Sequence, residues 1–265
     1  MNLSQSQLLH ADVLDGLATL PDDAFQLLIA DPPYFNVLTG QAWDTQWATP
    51  EDYLDWTEEW VRAALAKLKP DGLCYIFGQL GKREHLWLHA WSRLCQIGAF
   101  HDLIVWDRAV GYNERSDSFT PQYENILVLK KSPEAQPYFN KDAVRIPYDE
   151  ETKAKYLKDK RYKDLEARRT HLEKGKYATN LLRVPSLKGS SKQKVGHPSQ
   201  KPLTLIEMLV GSSSRAGDWV LDPFLGSGTT AVACENLGRH WIGIEKDPAY
   251  CRMAKTRIAA IEDPT

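Results

Sequence analysis

The 265-residue chain predicts a doubly wound α/β fold built on a mostly parallel sheet. Three observations lead to this prediction. Short apolar segments of strand length recur along the chain, segments with helix-start signals separate them, and one polar stretch, residues 132–195, interrupts the alternation. The composition, with 43% hydrophobic and 26% charged residues, is typical of globular proteins and excludes wholesale disorder or collagen-like order.

Seven segments are predicted to be strands, because each is short, apolar and bounded by loops. They are Leu8–Ala11, Phe25–Ala30, Leu73–Phe77, Leu103–Trp106, Asn125–Leu129, Trp219–Leu221 and Trp241–Ile244. Strands that are apolar on both faces are typical of a parallel sheet covered by helices on its two sides. We therefore expect helical layers above and below the sheet.

Helix signals lie between these strands. Thr49 is a typical N-cap, Pro50 fits the first helical position, and Pro70-Asp71-Gly72 predicts the end of that helix. Asp247-Pro248 opens a second helix, and a third is expected after Lys201-Pro202. Helices that alternate with strands in this way are typical of crossover connections in a parallel sheet.

Residues 132–195 are polar, basic and rich in tyrosine, so we expect an insertion between two halves of the core, residues 1–131 and 196–265. Part of Glu151–Lys174 is expected to be helical. The net charge of −2 conceals a segregation, because Glu151–Lys201 holds 15 basic and 5 acidic residues, a balance of +10. The rest of the chain carries a balance of −12. Such a segment indicates either a nucleic-acid contact or a solvated surface.

Targeting signals and metal motifs are not apparent in the sequence. No apolar run reaches the roughly 20 residues of a membrane helix, and the first residues do not resemble a signal peptide, which predicts a cytoplasmic protein without a membrane partner. The four cysteines lack CxxC spacing, so they are expected to be free thiols rather than metal ligands. They are Cys74, Cys95, Cys234 and Cys251.

A glycine-rich loop follows the sixth predicted strand. Gly226, Gly228 and Ala231 fit the G-x-G-x-x-G/A spacing, which permits a tight turn and close approach of the backbone to a ligand. Glu245 ends the next predicted strand, where an acid binds ribose hydroxyls. The loop alone leaves NAD, FAD and S-adenosylmethionine open as cofactors. Asp222 argues against the dinucleotides NAD and FAD, because a carboxylate there would repel their pyrophosphate but attract an ammonium group.

A second loop, Asp31-Pro32-Pro33-Tyr34, follows the predicted strand Phe25–Ala30. Its two prolines make the backbone rigid and extended. The Asp31 carboxylate and the Pro32 carbonyl would accept both hydrogens of a planar amino group, and the Tyr34 ring would stack on that group. If the strands before Asp31 and Asp222 are neighbours, the two loops meet at one edge of the sheet.

Three motifs in a fixed order resemble those of the DNA amino-methyltransferases, which methylate adenine N6 or cytosine N4. Asp31–Tyr34 resembles the catalytic tetrapeptide, Asp222–Thr230 the S-adenosylmethionine loop, and His197–Pro202 the element before that loop. This order is that of the permuted β group. The resemblance implies a seven-stranded Rossmann-like methyltransferase sheet with the two loop-bearing strands adjacent. Residues 1–131 would be its catalytic half, residues 132–195 a target-recognition insertion, and residues 196–265 its cofactor-binding half.

The resemblance also implies the site residues. The catalytic set is Asp31, Pro32, Pro33 and Tyr34, and the S-adenosylmethionine set is Asp12, Asp222, Phe224, Gly226, Ser227, Gly228, Thr229, Glu245 and Lys201. Asp12 would lie near the cofactor adenine, although Ala11 stands where the family often has glycine. DNA phosphates are expected at Lys158, Arg161, Lys163, Arg168, Arg169, Lys192 and Lys194, and base edges at Asn113, Glu114, Arg115 and Gln122. No metal is implied.

The expected activity is site-specific N6 methylation of a flipped-out adenine in double-stranded DNA. Cytosine N4 methylation is the alternative, and Asp31 favours adenine because cytosine enzymes mostly carry serine at this position. Three other readings are methylation of protein amides or RNA bases, a dinucleotide-dependent oxidoreductase, and a DNA-binding module without activity. Motif order argues against the first, and the second and third leave one or both loops without a role. A homodimer and a cognate restriction endonuclease are left open as partners.

Overall fold

The computed structural model describes residues 3–38, 40–79, 85–111, 114, 116–161 and 163–262. In these residues the strands form an eight-stranded sheet in the order β1-β10-β9-β2-β3-β5-β4-β8 and a separate β6-β7 pair. The strands are β1 Gln7–His10, β2 Phe25–Ala30, β3 Leu68–Gly78, β4 Ala99–Asp107, β5 Tyr123–Lys130, β6 Arg145–Ile146, β7 Lys176–Tyr177, β8 Leu181–Arg183, β9 Trp219–Asp222 and β10 His240–Glu245.

All seven predicted strands are confirmed, and the large sheet is mostly parallel. Only β5 runs antiparallel to its neighbours β3 and β4 among the strands that the structure describes. The expectation of seven strands is wrong by one, because Leu181–Arg183 pairs parallel with the edge strand β4. This eighth strand was missed because it is three residues long and only Leu182 among them is buried.

Eight α-helices lie within the described ranges. They are α1 Val13–Ala18, α2 Pro50–Lys67, α3 Leu86–Ile97, α4 Glu150–Leu157, α5 Leu165–Lys174, α6 Leu203–Ser213, α7 Thr229–Leu237 and α8 Pro248–Glu262, with short 3-10 turns at Ala42–Asp44 and Lys141–Val144. The helices predicted after Thr49, Pro202 and Asp247 are confirmed, as is helical structure within Glu151–Lys174. None of the helices in the described part is long and apolar enough to span a membrane.

Helix α2 begins as predicted but ends earlier. Thr49 and Asp52 form a reciprocal capping box at its N-terminus, with Pro50 in the first turn. The end predicted at Pro70-Asp71-Gly72 is wrong, because β3 already begins at Leu68, which pairs with Phe25. The next paired residues are Leu27 and Leu73, so the proline segment bulges out of the ladder.

Two buried clusters cover the two faces of the sheet, which confirms the doubly wound prediction. On one face Leu17, Trp60 and Leu94, from α1, α2 and α3, pack with Leu28 of β2. On the other face the buried residues of α6, α7 and α8 pack with Ile29 of the same strand. Full burial of a large apolar side chain contributes about 1.5–3 kcal/mol to the free energy of folding, so the packing on both faces stabilises β2.

Strands β2 and β9 are neighbours and run parallel. Leu27 pairs with Val220 and Leu28 with Leu221. From this pair the chain continues in opposite directions, from β2 to β3 and from β9 to β10. The strand order therefore reverses between β2 and β9, and ligands of open α/β sheets bind beyond the carboxyl ends of such strands.

Candidate active site

The tetrapeptide leaves the carboxyl end of β2 with its polar groups already paired. The Tyr34 hydroxyl donates a short hydrogen bond to Asp31 Oδ1. Lys201 Nζ donates to Asp31 Oδ2 at 2.6 Å and to the Tyr34 hydroxyl oxygen at 3.3 Å. Burial and the nearby Asp31 charge raise the pKa of Tyr34 well above its ordinary value, so the phenol remains a donor. Asp31 is thereby held as a hydrogen-bond acceptor facing the site.

The backbone beyond Tyr34 is fixed by the buried Asp44. Its two carboxylate oxygens accept from the amides of Tyr34 and Leu38, each at 2.6 Å. Phe35 and Asn36 adopt left-handed conformations, with φ of 57° and 58°. A pair of non-glycine residues in this region is strained, and the Asp44 contacts hold the turn.

Lys201 is the most buried cation of the site, with 7% of its side chain exposed. Its ammonium lies 2.6 Å from Asp31 Oδ2 and 3.6 Å from Glu124 Oε2. Burial lowers the pKa of Lys201, but the charges of Asp31 and Glu124 outweigh it and raise the pKa overall. Lys201 thus contacts Asp31 and Tyr34 of the tetrapeptide, in addition to the cofactor role that the resemblance implies for it.

The glycine loop runs from β9 into α7. Gly226 and Gly228 both have positive φ, at 52° and 78°, and Gly228 is the N-cap of α7. A Cβ on Gly226 would lie 3.1 Å from His197 Nε2, and one on Gly228 would lie 3.1 Å from the Ala254 side chain. The backbone conformation and the close neighbours both require glycine here.

Two carboxylates flank the glycine loop at the ends of neighbouring strands. Glu245 accepts from the Gly226 amide at 2.8 Å and from the Asp247 amide at 2.7 Å. Asp12 caps α1, accepting from the Leu14 amide, and its other oxygen pairs with Lys246 at 3.0 Å. Each oxygen that accepts one hydrogen bond retains capacity for a second, so both carboxylates remain able to bind ligand hydroxyls.

Asp222, at the end of β9, is buried between the two loops. Its Oδ1 accepts from the Phe224 amide at 2.9 Å, and the Thr230 hydroxyl also bonds to it. Burial raises the pKa of Asp222 to about 7 despite these bonds. The side chain therefore titrates near neutrality and would become ionised when a cation binds beside it.

The remaining loop residues support the glycine turn. Phe224 packs edge-on against Trp60, with ring centroids 4.9 Å apart. Arg257 of α8 donates to the Thr229 hydroxyl at 2.8 Å and to the Ser227 carbonyl at 3.2 Å. Ser227 and Thr229 thus hold the loop from behind.

One cavity joins the two loops. Its wall includes most of the predicted catalytic and cofactor residues, namely Asp12, Asp31, Pro32, Pro33, Tyr34, Lys201, Asp222, Phe224, Gly226, Ser227, Thr229 and Glu245. Sequence reasoning assigned no site role to several aromatic rings that also line it, among them Trp43, His197 and Tyr250. The His197 ring lies between the other two, and burial lowers its pKa to about 4, so it is neutral at pH 7.

The predicted DNA contacts lie away from the sheet core. Lys158, Arg161, Lys163, Arg169, Lys192 and Lys194 are exposed. Arg161 is already paired with Asp159 at 2.6 Å, and Arg168 lies half-buried over the Tyr156 ring. Of the loop predicted to approach base edges, Gln122 donates to Asp107, while Asn113 and Arg115 fall outside the described residues.

Comparison with known proteins identifies the family. The model of the N6/N4 DNA methylases matches residues 25–256. The Type II methyltransferase M1.MboII of Moraxella bovis is 30% identical, over 94% of this chain and 94% of its own length. M.HpaI of Haemophilus parainfluenzae is 29% identical over 95% of this chain and 74% of its own length.

Solved structures share the fold. The cytosine-N4-specific PvuII DNA methyltransferase superposes with a TM-score of 0.69 at 19% identity, covering 96% of this chain and 86% of that one. The complex of M1.HpyAVI with S-adenosylmethionine gives a TM-score of 0.63 at 25% identity, covering 95% and 98%. The chain belongs to the N6/N4 DNA methylase family.

Proposed function

We propose that this DNA methyltransferase uses S-adenosylmethionine to methylate adenine N6 at a specific site in duplex DNA. The observation that carries the proposal is the parallel pairing of β2 with β9, which brings Asp31–Tyr34 and the glycine loop into one cavity. A loop that accepts amino hydrogens and a loop that admits a nucleoside-bearing ligand are the two parts such a reaction needs.

The residues of the cavity fit S-adenosylmethionine. Gly226 and Gly228 give the loop its positive-φ turn, Gly226 lines the cavity, and Glu245 offers its carboxylate to ribose hydroxyls. Asp222 would bind the ammonium of the methionine moiety, and Asp12 would lie near the adenine. When bound, the cofactor supplies an electrophilic methyl group carried on a sulfonium.

Asp31 and the Pro32 carbonyl would orient the target amino group. An exocyclic amine is a poor nucleophile, because its lone pair is delocalised into the ring. Acceptors for both of its N–H bonds favour a pyramidal nitrogen and free that lone pair. As positive charge develops on the nitrogen, the Asp31 carboxylate and the π face of Tyr34 stabilise it more strongly than they do the ground state, and the nitrogen then loses one proton to solvent, which leaves a neutral methylated amine.

The target base must leave the duplex to reach this cavity. Extruding a base costs a few kcal/mol of lost pairing and stacking. Stacking on Tyr34 would recover part of this cost. In the family, Asp at the first position of the tetrapeptide goes mostly with adenine, which supports adenine over cytosine as the base bound here.

We place the DNA backbone against the basic segment of residues 151–201, within the proposed target-recognition insertion. Six of the seven predicted contact residues are exposed and able to meet phosphates. Each phosphate contact releases counterions, so affinity for duplex DNA should fall steeply between 50 and 200 mM salt. Affinity that stays constant over this range would argue against the segment. A cognate restriction endonuclease stays a proposed partner, and the relatives are named Type II methyltransferases.

The decisive experiment identifies the modified base. DNA from a host that lacks other methylases is digested to nucleosides after expression of the chain and analysed by mass spectrometry. N6-methyladenine in DNA that is absent with Asp31→Ala supports the proposal. N4-methylcytosine would establish the alternative specificity. If the protein is folded and binds cofactor but the DNA contains no methylated base, the assignment is refuted.

A further inference from the structure

A row of alternating charges runs inward from the catalytic tetrapeptide. Asp31 pairs with Lys201 at 2.6 Å, Lys201 with Glu124 at 3.6 Å, and Glu124 with Arg108 at 3.2 Å. Glu124 is the second residue of β5 and has 7% of its side chain exposed. It does not line the cavity, because Lys201 stands between it and the space where substrate would bind.

The burial of these groups makes them depend on one another. A buried ammonium loses its hydration and is stable only beside negative charge. Asp31 alone would give Lys201 a single counter-charge, and that carboxylate is also the one proposed to meet the target amine. Glu124 supplies the second negative charge, from a side chain that meets no substrate. Its Oε2 is buried without a hydrogen-bond partner and faces the ammonium at 3.6 Å.

The scaffold holds Glu124 in place. Glu124 pairs with Trp106 across the β4–β5 ladder, and the Arg108 guanidinium lies 5.7 Å from the centre of the Trp106 ring. The indole of Trp106 donates to the Val184 carbonyl at 2.7 Å, and the Ser186 amide donates to the Arg108 carbonyl at 3.1 Å. Glu124 and its neighbour Trp106 therefore lie on paired strands rather than on a loop.

We propose that Glu124 is a positioning residue for methyl transfer, which holds the Lys201 ammonium so that it orients Asp31 toward the target amine. The inference rests on the proposed role of Asp31. Lys201 donates to Asp31 Oδ2 at 2.6 Å, and the Glu124 carboxylate, 3.6 Å away, supplies the second negative charge that holds the ammonium in this position. Glu124 thus acts on the rate through Lys201 and leaves cofactor affinity unaffected.

A double-mutant cycle tests this coupling. Single-turnover transfer of labelled methyl groups to DNA is measured for the wild type, Glu124→Gln, Lys201→Met and the double variant. We expect Glu124→Gln to slow transfer about tenfold in the wild-type background and less than about twofold in the Lys201→Met background. Equal slowing in both backgrounds would overturn the proposal. Glu58→Gln, which removes a surface ion pair of 3.4 Å with Arg93, is the matched control and should not change the rate.

Two further readouts separate positioning from loss of structure. The affinity for S-adenosylmethionine should stay within twofold in Glu124→Gln. The groups facing Lys201 in this variant would be Asp31, Tyr34, Arg108 and a neutral amide, so the pKa of Lys201 should fall. The alkaline limb of the rate–pH profile should therefore move to lower pH. A parallel loss of cofactor affinity, or an unmoved limb, would contradict the proposal. Glu124→Asp keeps the charge and should retain more activity than Glu124→Gln, and the cycle can be run with it if the glutamine variant does not fold.

The assay counts methyl groups on DNA whichever base carries them. Absence of transfer by the wild type would refute the proposed function. Additive effects of Glu124→Gln in an active enzyme would refute only the role of Glu124.

Discussion

The two loops at the centre of the sheet are neighbours but are held by different means. The loop after β2 is fixed by three side chains outside the tetrapeptide, Asp44, Tyr53 and Lys201. The loop after β9 is fixed by its glycine backbone and by Glu245, which accepts from the Gly226 amide. The first loop is therefore held mainly by side-chain contacts, and the second depends more on its glycine backbone conformation, with Glu245 and Arg257 supporting it. Substitutions in the two loops should affect different measurable steps.

The largest effect is expected for Asp31→Ala. Without its acceptor, the target amine loses the group that orients it and stabilises its developing charge, so methyl transfer should fall about 10³-fold. Equilibrium affinity for S-adenosylmethionine should change little, because the cofactor is held by the other loop. Single-turnover transfer and calorimetric binding, measured on the same preparation, check both parts. Near-wild-type transfer with retained binding would contradict the assigned role.

Gly226→Ala should show the reverse pattern. The new Cβ meets His197 Nε2 at 3.1 Å on a backbone of φ 52°, and the resulting strain of about 1–3 kcal/mol falls on the cofactor loop. We expect affinity for S-adenosylmethionine to weaken about 10- to 100-fold. The rate at saturating cofactor should be much less affected. Gly40→Ala, whose Cβ meets nothing within 4 Å, is the control and should bind normally.

Cofactor affinity should depend on pH through Asp222. Burial raises its pKa to about 7, so the side chain is mostly neutral at pH 6 and attracts the methionine ammonium only as it ionises. Affinity should rise about tenfold between pH 6 and pH 8. In the absence of cofactor the sign is opposite for stability, because a raised pKa in the folded state stabilises at low pH and this contribution is lost as the pH rises through 7. Asp222→Asn should bind weakly with a flat profile, and a sloping profile in that variant would exclude Asp222 as the titrating group.

The smallest effect is expected for Tyr53→Phe. Its hydroxyl donates to the Pro33 carbonyl at 2.8 Å, and loss of one such bond is worth about 1 kcal/mol. If that energy positions the catalytic loop, methyl transfer should slow about fivefold with unchanged cofactor affinity. Tyr75→Phe removes a buried hydroxyl bonded to Ser213 at 2.7 Å, away from both loops. It should lower thermal stability but leave the rate unchanged, and equal slowing in both variants would contradict a specific role for Tyr53.

Local sequence pattern was enough to predict the elements of the fold that form from one continuous stretch of the chain. All seven predicted strands exist, because each is a mostly apolar run; most are buried on one or both faces of the sheet, while Leu8 and Leu9 of β1 are partly buried. The end of α2 was mispredicted, since a proline segment that usually ends a helix is accommodated here as a bulge in β3. The neighbouring position of β2 and β9 has no local signal, and only the family resemblance implied it.

The site was predictable to the same extent. Motifs with a characteristic residue spacing contain Asp31, Gly226 and Glu245, and these residues were predicted from that spacing. Asp44 and Glu124 lie in no such motif. Asp44 acts through its burial beside backbone amides and Glu124 through its burial beside Lys201, and no sequence period reveals contacts of this kind. An acidic residue directly before an apolar run, as Glu124 is before Asn125–Leu129, was the one available signal.

The pairing of β2 with β9 also constrains how the enzyme comes into being. Leu27 and Val220 lie near opposite ends of the described chain, so the central contact of the sheet closes only after the intervening polypeptide has been synthesised. A nascent chain that ends before β9 carries the catalytic tetrapeptide but lacks the cofactor loop. Contacts so distant in sequence form slowly. A chain truncated before β9 therefore cannot form the cavity that joins the two loops.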